Sequence, residues 1–429
     1  MRSRLLPLVL LLIATAIVAA QSTDQQLEPE TSPQSLLNLI HQLQKRVSEL
    51  EDRERQQSQG QLSCSDRGMV AATAMTQGSP AVTQEAHEHG NPSSEVREAE
   101  AHYPSLQIRG FGDVDFSATD QKGSVSGFSL GQFVLHFASP LSKKVTYFGE
   151  VSFTAQPTTY DLAVERSIIR YDYNDYFKLS FGKYHTPVSY WNTAFHHGAW
   201  LQTTISRPEM VKFGGTFIPI HFLGLQTEGN IPSGGLGLGY SLGLGNGRSS
   251  NFSKAGDSGD VNNNRAWIAD LFARPARFYG LEVGASYYHD KLTPIEGVNF
   301  NEWIASAHIV WTKEHPEFLA EVANVHHRNP GTLQTFNSVA YYLQAAYRFP
   351  WQENKWKPYY RFEYIHRPEF EPVWDFTGIP SVLDLVGSTL GVRYDITNYA
   401  AFKGEYRHSH HGVGESPVNG AFFQTAFTF

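Results

Sequence analysis

A base and an acid stand two residues apart at Arg361/Glu363, Arg393/Asp395 and Lys403/Glu405. In an extended chain residues i and i+2 share a face, so each pair sets a cation beside an anion. That pattern suits an electrostatic lining or a wall network more than proton transfer at one reacting atom. The same parity gathers Arg109, Asp113, Asp115, Glu150, Arg166, Arg170, Lys178, Arg348 and Arg407 onto the less apolar faces of their segments. A base turned to lipid at mid-membrane costs about 2–4 kcal/mol, so these charges are expected to face an interior.

A second set of polar and aromatic groups lies in the long connection Thr186–Ile218. It carries Tyr190, Trp191, Asn192, His196, His197, Trp200, Gln202, Arg207, Glu209 and Lys212. Aromatic rings can pack such a loop on a wall while the polar groups meet a solute, and a narrowing built this way filters by size and charge. The competing reading is that Tyr190, Trp191, Phe195 and Trp200 only anchor the loop and that His196-His197 closes a turn.

Histidines are the remaining chemical candidates, with pairs at His196-His197 and His326-His327 and the run His408-Ser409-His410-His411. Neutral imidazole is a common metal ligand, but at strand–loop borders it also serves as an interfacial polar aromatic. His87-Glu88-His89 lies in a polar tract and reads as solvated. No metal site and no cofactor are therefore expected. The sequence has no His-Glu-x-x-His helix and no phosphate loop, so the motifs of zinc hydrolases and phosphate-loop nucleotide enzymes are missing. His408 and Ser409 are adjacent, which places them on opposite faces of a strand. An enzyme is not expected.

The elements that must position these residues are strands. From residue 105 onward, alternating segments fall near 105–117, 128–138, 145–154, 161–172, 177–185, 219–231, 236–247 and 265–276. More follow near 281–291, 302–314, 318–328, 338–350, 357–367, 385–397, 400–411 and 421–429, about sixteen in all. Short polar turns alternate with longer Gly-, Asn-, Asp- and Pro-rich connections, so both ends of this region lie on the short-turn side. An even strand number, two-faced alternation and asymmetric loop lengths together predict an all-β fold, a transmembrane antiparallel β-barrel. The weakest stretch is 206–235, where Val211–Ile218 also reads as a strand. Outward faces are expected at Val145, Tyr147, Val151 and Phe153, at Tyr360, Phe362 and Tyr364, and at Val386, Leu390, Val392, Tyr394 and Ile396.

The amino-terminal part has a different character. Arg2 and Arg4 precede the apolar run Leu5–Ala19, and Val18-Ala19-Ala20 supplies small residues, so residues 1–20 read as a secretory signal peptide. Ser32-Pro33 offers a helix start, and Leu36, Ile40, Leu43, Val47 and Leu50 follow at heptad spacing. Residues 32–57 are thus expected to form a short periplasmic coiled-coil helix, and 58–104 a flexible linker. Cys64 is the single cysteine, so no disulfide forms within one chain. The formal charge is −8, but 13 acids and 6 bases between residues 21 and 104 account for most of it. Residues 105–429 hold 29 acids and 26 bases, a net of −3, which gives no basic surface for nucleic acid.

These features together resemble Gram-negative outer-membrane porins. The coil–linker–barrel order, with Phe181-Gly182-Lys183 and Thr186-Pro187, looks like the phosphate-selective porin O/P type. The resemblance implies a homotrimeric, sixteen-stranded diffusion channel for small hydrophilic solutes or ions, set in outer-membrane lipid, with the third loop folded inward. The chain departs from anion-selective members in lacking a lysine-rich loop or a strongly basic barrel. Selectivity for phosphate or other oxyanions, or for metal ions, stays as an alternative, as does a barrel that mainly tethers the outer membrane. The last nine residues, Ala421–Phe429, are strongly aromatic on one face and fit a closing strand. Terminal Phe429 resembles the signal by which the barrel-assembly machinery recognises its clients.

Overall fold

The computed structural model describes Lys45 and residues 103–429, except 196–197, 214–216, 251, 253, 255, 377–383 and 413–414. The signal peptide, the linker up to residue 102 and all of the coil except Lys45 lie outside the described residues. Lys45 itself is helical and exposed.

Sixteen strands form one closed antiparallel barrel, each paired with its neighbours in sequence and β1 with β16. They are β1 (Gln107–Thr119), β2 (Gly127–Pro140), β3 (Val145–Ala155), β4 (Tyr160–Asn174), β5 (Phe177–His185), β6 (His221–Ile231), β7 (Leu238–Asn246) and β8 (Ala266–Ala273). Then come β9 (Leu281–Ile295), β10 (Val298–Trp311), β11 (Glu317–Arg328), β12 (Thr335–Ala346), β13 (Trp356–His366), β14 (Leu385–Thr397), β15 (Ala400–His411) and β16 (Val418–Thr428). Closure leaves no unpaired sheet edge, which is what a strand protein needs inside lipid. Among the described residues no helix is long and apolar enough to cross a membrane.

The exterior explains why the chain tolerates so many exposed apolar groups. Leu162, Ile169, Phe181, Leu225, Leu244, Leu271, Leu343, Leu390 and Phe423 all point outward and are exposed. Tyr173, Tyr176, Tyr279, Tyr347, Trp351 and Tyr399 gather near the short turns, as an interfacial aromatic girdle does. The outward positions expected on β3, β13 and β14 alternate with buried Glu150, Arg361 and Arg393.

Closure brings Phe429 against β1. Its amide and carbonyl exchange hydrogen bonds with Gly110 at 3.1 and 2.9 Å, and its ring covers Gly110, where a Cβ would sit 2.3 Å from Cζ. Glycine at this position lets the terminal ring lie flat on the seam. The ring also stacks on Phe133 of β2, 5.6 Å between centroids.

Three expectations need correction. None of the described residues of 211–218 lies in a strand: Glu209–Val211 is a single 3₁₀ turn, and Met210, Val211, Phe217 and Ile218 are buried. Two connections on the long-loop side, 156–159 and 296–297, are short. The interior is also not polar throughout. Ile268, Tyr288, Leu292, Phe300, Ile304, Val310, Leu319, Ala323, Val325 and Ala340 on β8–β12 are buried inward and form one apolar core. These strands are apolar on both faces because a loop, rather than water, fills that half of the barrel.

Candidate functional site: the third long loop and the facing wall

The loop of residues 186–220 joins β5 to β6 and turns into the barrel. Its two ends are held together at the base, where Thr186 N donates to Ile220 O at 2.9 Å. Buried Asn192 reinforces this closure by donating to the carbonyls of Thr186 and Pro219 at 3.1 and 3.2 Å. Between them runs the short helix α1 (Tyr190–Ala194).

Glu321 of β11 seats the start of that helix. Its carboxylate accepts from Ser189 Oγ at 2.6 Å, Tyr190 N at 2.8 Å and Trp191 N at 2.9 Å. Tyr342 Oη of β12 donates to the same group at 2.5 Å. Backbone N–H groups of a first helical turn have no intrahelical acceptor, so a wall carboxylate supplies one. The Val188 carbonyl accepts from Ser286 Oγ at 2.9 Å and from Ser306 Oγ.

The segment Ala199–Arg207 crosses to the strands on the far side and meets their charges. Lys403 Nζ donates to the carbonyls of Ala199, Gln202 and Thr204, the last two at 2.9 and 3.0 Å. Arg393 donates to the carbonyls of Trp200 and Gln202 at 2.7 and 3.0 Å, and its guanidinium lies 5.6 Å from the Trp200 ring. Arg361 reaches Thr204 Oγ1, Ser206 O and Oγ, and Arg207 O at 2.5–3.2 Å. Carboxylates take the loop's donors: Glu405 accepts from Ile205 N at 2.6 Å, Glu363 from Glu209 N at 3.3 Å and Glu317 from Thr203 Oγ1 at 2.9 Å.

A buried charge needs a partner to offset its lost hydration, and the wall supplies one laterally. Arg361 pairs with Glu363, Arg393 with Asp395 at 2.8 Å and Lys357 with Glu317 at 2.7 Å. The two-residue spacing in the sequence is therefore realised for the first two pairs. It is not for Lys403/Glu405: Glu405 pairs instead with Arg407 at 2.7 Å, and Lys403 is spent on loop carbonyls.

Beneath this polar layer the loop is apolar. Trp191 packs edge-on to Tyr342 at 5.8 Å, Phe195 lies 5.0 Å from Trp191, and Phe217 stacks on Trp374 of α2 (Pro372–Phe376) at 6.2 Å. Arg248, in the loop after β7, donates to Phe217 O at 3.0 Å. One side of the loop is thus welded to β8–β13.

The opposite wall, β1–β5 with β16 and Arg407 of β15, keeps solvent-accessible charges. Buried Glu150 receives Arg166 at 2.5 Å and His136 at 3.1 Å, with His185 at 3.5 Å. Arg166 and His136 keep 25% and 19% of their side-chain surface accessible, so they present the cluster to the lumen. Glu165 accepts from Ser152 Oγ at 2.6 Å and lies 2.8 Å from His221 Nε2. Arg170 contacts Asp172 at 2.9 Å and Glu228 at 3.7 Å. Asp113 takes Gln132 N at 3.3 Å, Asp115 takes Gln424 Nε2 at 3.0 Å, and Arg407 stacks over inward Phe422 at 3.8 Å.

Arg207 comes from the loop to this wall. Its guanidinium lies over Phe213 at 3.9 Å; burial disfavours its charge, and the carboxylate of Glu165 on that wall opposes the effect.

The expected loop residues therefore divide. Tyr190, Trp191 and Trp200 seat the loop, Arg207 spans toward Glu165, and Glu209 and Lys212 form an exposed pair at 3.0 Å. His196 and His197 lie outside the described residues. Of the expected lumen charges, Arg109, Asp113, Arg166, Arg170 and Arg407 sit on the facing wall. Lys178 is nearly buried on β5, and Arg361, Glu363, Arg393 and Lys403 hold the loop. His326 and His327 point to opposite faces, so they do not act as a joint ligand pair. Glu321, Glu317, His136, Glu165 and His185 were not singled out from sequence; the inward parity of the first three was readable, whereas Glu165 is the extra residue of a β-bulge beside Arg166 and His185 has the opposite parity to Lys178.

No family model matches the sequence, and no curated protein is significantly similar to it. Solved structures do share the fold. An anion-selective porin from Comamonas acidovorans superposes with a TM-score of 0.57 at 10% identity, over 76% of this chain and all of that one. The outer-membrane channel DcaP of Acinetobacter baumannii gives 0.53 at 13% identity, over 76% and 97%. Salmonella typhi OmpF, solved with daunomycin, gives 0.52 at 14%, over 76% and 98%. At these identities the likeness is one of fold: a sixteen-stranded transmembrane barrel.

Proposed function

We propose that this protein is an outer-membrane channel through which small hydrophilic solutes and ions diffuse passively. The observation that carries the reading is the loop 186–220, folded into the barrel and seated on one wall by buried charges, opposite a wall that keeps accessible charges of both signs. Such a partition narrows a lumen to a polar passage, and rings of mixed charge filter by size and sign. The shared fold with an anion-selective porin and with DcaP supports it. Tyr190, Trp191, Trp200, Arg207, Glu209 and Lys212, with His196 and His197, constitute the constriction loop on this reading.

The same geometry argues against a phosphate-specific path. Arg361, Arg393 and Lys403 would be the natural steps of an anion ladder, but their donors are taken by loop carbonyls and neighbouring carboxylates. The accessible wall pairs Arg166, Arg170 and Arg407 with acids, which favours weak selectivity. The short turns then lie in the periplasm, preceded by a cleaved signal (1–20), a coil (32–57) and a linker (58–104). Three copies assemble around the coil in outer-membrane lipid, and Phe429 directs insertion by the barrel-assembly machinery.

Planar-bilayer recording tests this reading. Purified protein should give stepwise ion conductance with a small reversal potential in a salt gradient, and a preparation of folded barrels with no steps overturns it. Arg166→Gln should shift the reversal potential toward cation preference, because Glu150 keeps its charge while the accessible cation is lost.

A further inference from the structure

On the outside of β8–β12, near the long-loop end, the lipid-facing surface stops being apolar. Cross-strand register sets Lys291, Asn301 and Arg328 side by side on β9, β10 and β11. The next tier is His289, Trp303 and His326, and the next Tyr287, Ala305 and Asn324. All face outward, since their neighbours Asp290, Glu302, Ile304, Val325 and His327 are buried inward. Trp303 is sandwiched between His289, stacked at 5.1 Å, and His326 at 5.5 Å, with Trp267 of β8 5.9 Å from His289.

These side chains enclose a groove of about 360 Å³ lined by Tyr287, Trp303, Ala305, Asn324, His326 and Arg328. Below it the wall is unusually shallow: Ala307 pairs with Ala285 on one side and Val322 on the other, and all three are exposed. The surface is thus amphipathic along the strands, with cations above, flat aromatics in the middle and an apolar trough beneath. Neither Lys291 nor Arg328 has a carboxylate partner among the described residues, and no acidic side chain shares the three tiers.

We propose that this groove binds a phosphate-bearing lipid of the leaflet surrounding the long-loop end. The phosphate is received by Arg328 and Lys291, the rest of the head group lies against Trp303 and His326, and an acyl chain runs down the trough at Ala305, Ala307 and Ala285. Charge complementarity selects this occupant. Two unneutralised cations at an interface attract an anionic head group, whereas a second copy of the chain would need to bring acids to the same height. Guanidinium, with its planar fork of donors, is suited to phosphate. The proposal rests on the membrane placement of the barrel but not on conduction.

The test is native mass spectrometry of the detergent-solubilised full chain titrated with dioleoyl phosphatidate or with dioleoyl phosphatidylcholine. These lipids share acyl chains and differ in head-group charge. The expected result is preferential retention of phosphatidate, reduced about fivefold by Arg328→Gln and again by Lys291→Gln, with channel conductance unchanged. Equal retention of both lipids, or variants that retain phosphatidate like the wild type, overturns the proposal. In a Cys64→Ser background, Ala305→Cys should react with a lipid-soluble maleimide in assembled protein. Protection of that thiol by assembly into oligomers would assign the face to a subunit contact and overturn lipid binding. Lipid preference in a protein that fails to conduct would refute the channel reading alone.

Discussion

Glu321→Gln is the sharpest test of how the loop is held. The carboxylate is 4% exposed and serves four donors, two on each oxygen: Ser189 and Tyr190 on one, Trp191 and Tyr342 on the other. A glutamine keeps one carbonyl oxygen and turns an NH₂ toward the other two donors. The hydroxyls of Ser189 and Tyr342 can rotate away, but a main-chain N–H cannot, so one backbone donor is stranded and the charge on the remaining bonds is lost. Hydrogen bonds to charged groups contribute about 1.5–3 kcal/mol each, and an orphaned buried donor costs a further 1–3. A net loss of about 3 kcal/mol moves the seated-to-unseated ratio of the loop by roughly two orders of magnitude. The strand ladder of β11 is untouched, so the barrel should keep its heat-dependent gel mobility. Amide exchange at Tyr190 and Trp191 should accelerate about a hundredfold, and single-channel recordings should show larger and noisier conductance. Wild-type protection at both amides together with wild-type conductance would refute the view that this carboxylate seats the loop.

Deleting Phe429 removes both main-chain bonds to Gly110 and the ring that covers it, so the yield of assembled barrel should fall several-fold while the conductance of each surviving channel stays the same. Quantitative blotting of folded and unfolded forms checks this. Glu314, in the turn after β10, predicts an acid dependence: burial works against its ionisation, but Lys357 and Arg348 outweigh it and hold the carboxyl at about 2, below its ordinary 4.5. Its folded value is depressed, so the stabilisation is complete above pH 4.5 and disappears as pH falls toward 2. The group is 43% exposed, so solvent screening limits the effect to about 1 kcal/mol. Thermal melts of wild type and Glu314→Gln should converge across that interval. For the coil, Leu43→Asp should lower the amount of heat-labile trimer; undiminished trimer would show that the barrel assembles alone.

Strand number and the closing role of Ala421–Phe429 were legible, with strand limits shifted by up to four residues at β9, β10 and β12, because alternation and turn residues are local properties, and a single-residue slip would expose every apolar face. Parity likewise placed Arg361, Glu363, Arg393, Lys403 and Arg407 inside. It did not say what they would meet. Whether an inward arginine faces water or a loop carbonyl depends on the path of residues 186–220, which is fixed by contacts more than a hundred residues away, such as Glu321 with Trp191 or Arg361 with Ser206. The apolar inner faces of β8–β12 were not legible for the same reason. A leucine or isoleucine that packs on a folded-in loop has the same hydrophobicity as one that packs on lipid, so alternation weakens and composition alone is ambiguous.

The sequence by itself therefore determined a closed barrel and the inward parity of most of its charges, because each follows from the two-residue period and the cost of exposing charge to lipid. Only the tertiary structure decided that Arg361, Arg393 and Lys403 hold a loop while Arg166, Arg170 and Arg407 remain accessible. That division arises where the backbone donors and acceptors of residues 186–220 find their partners, and no local pattern encodes it.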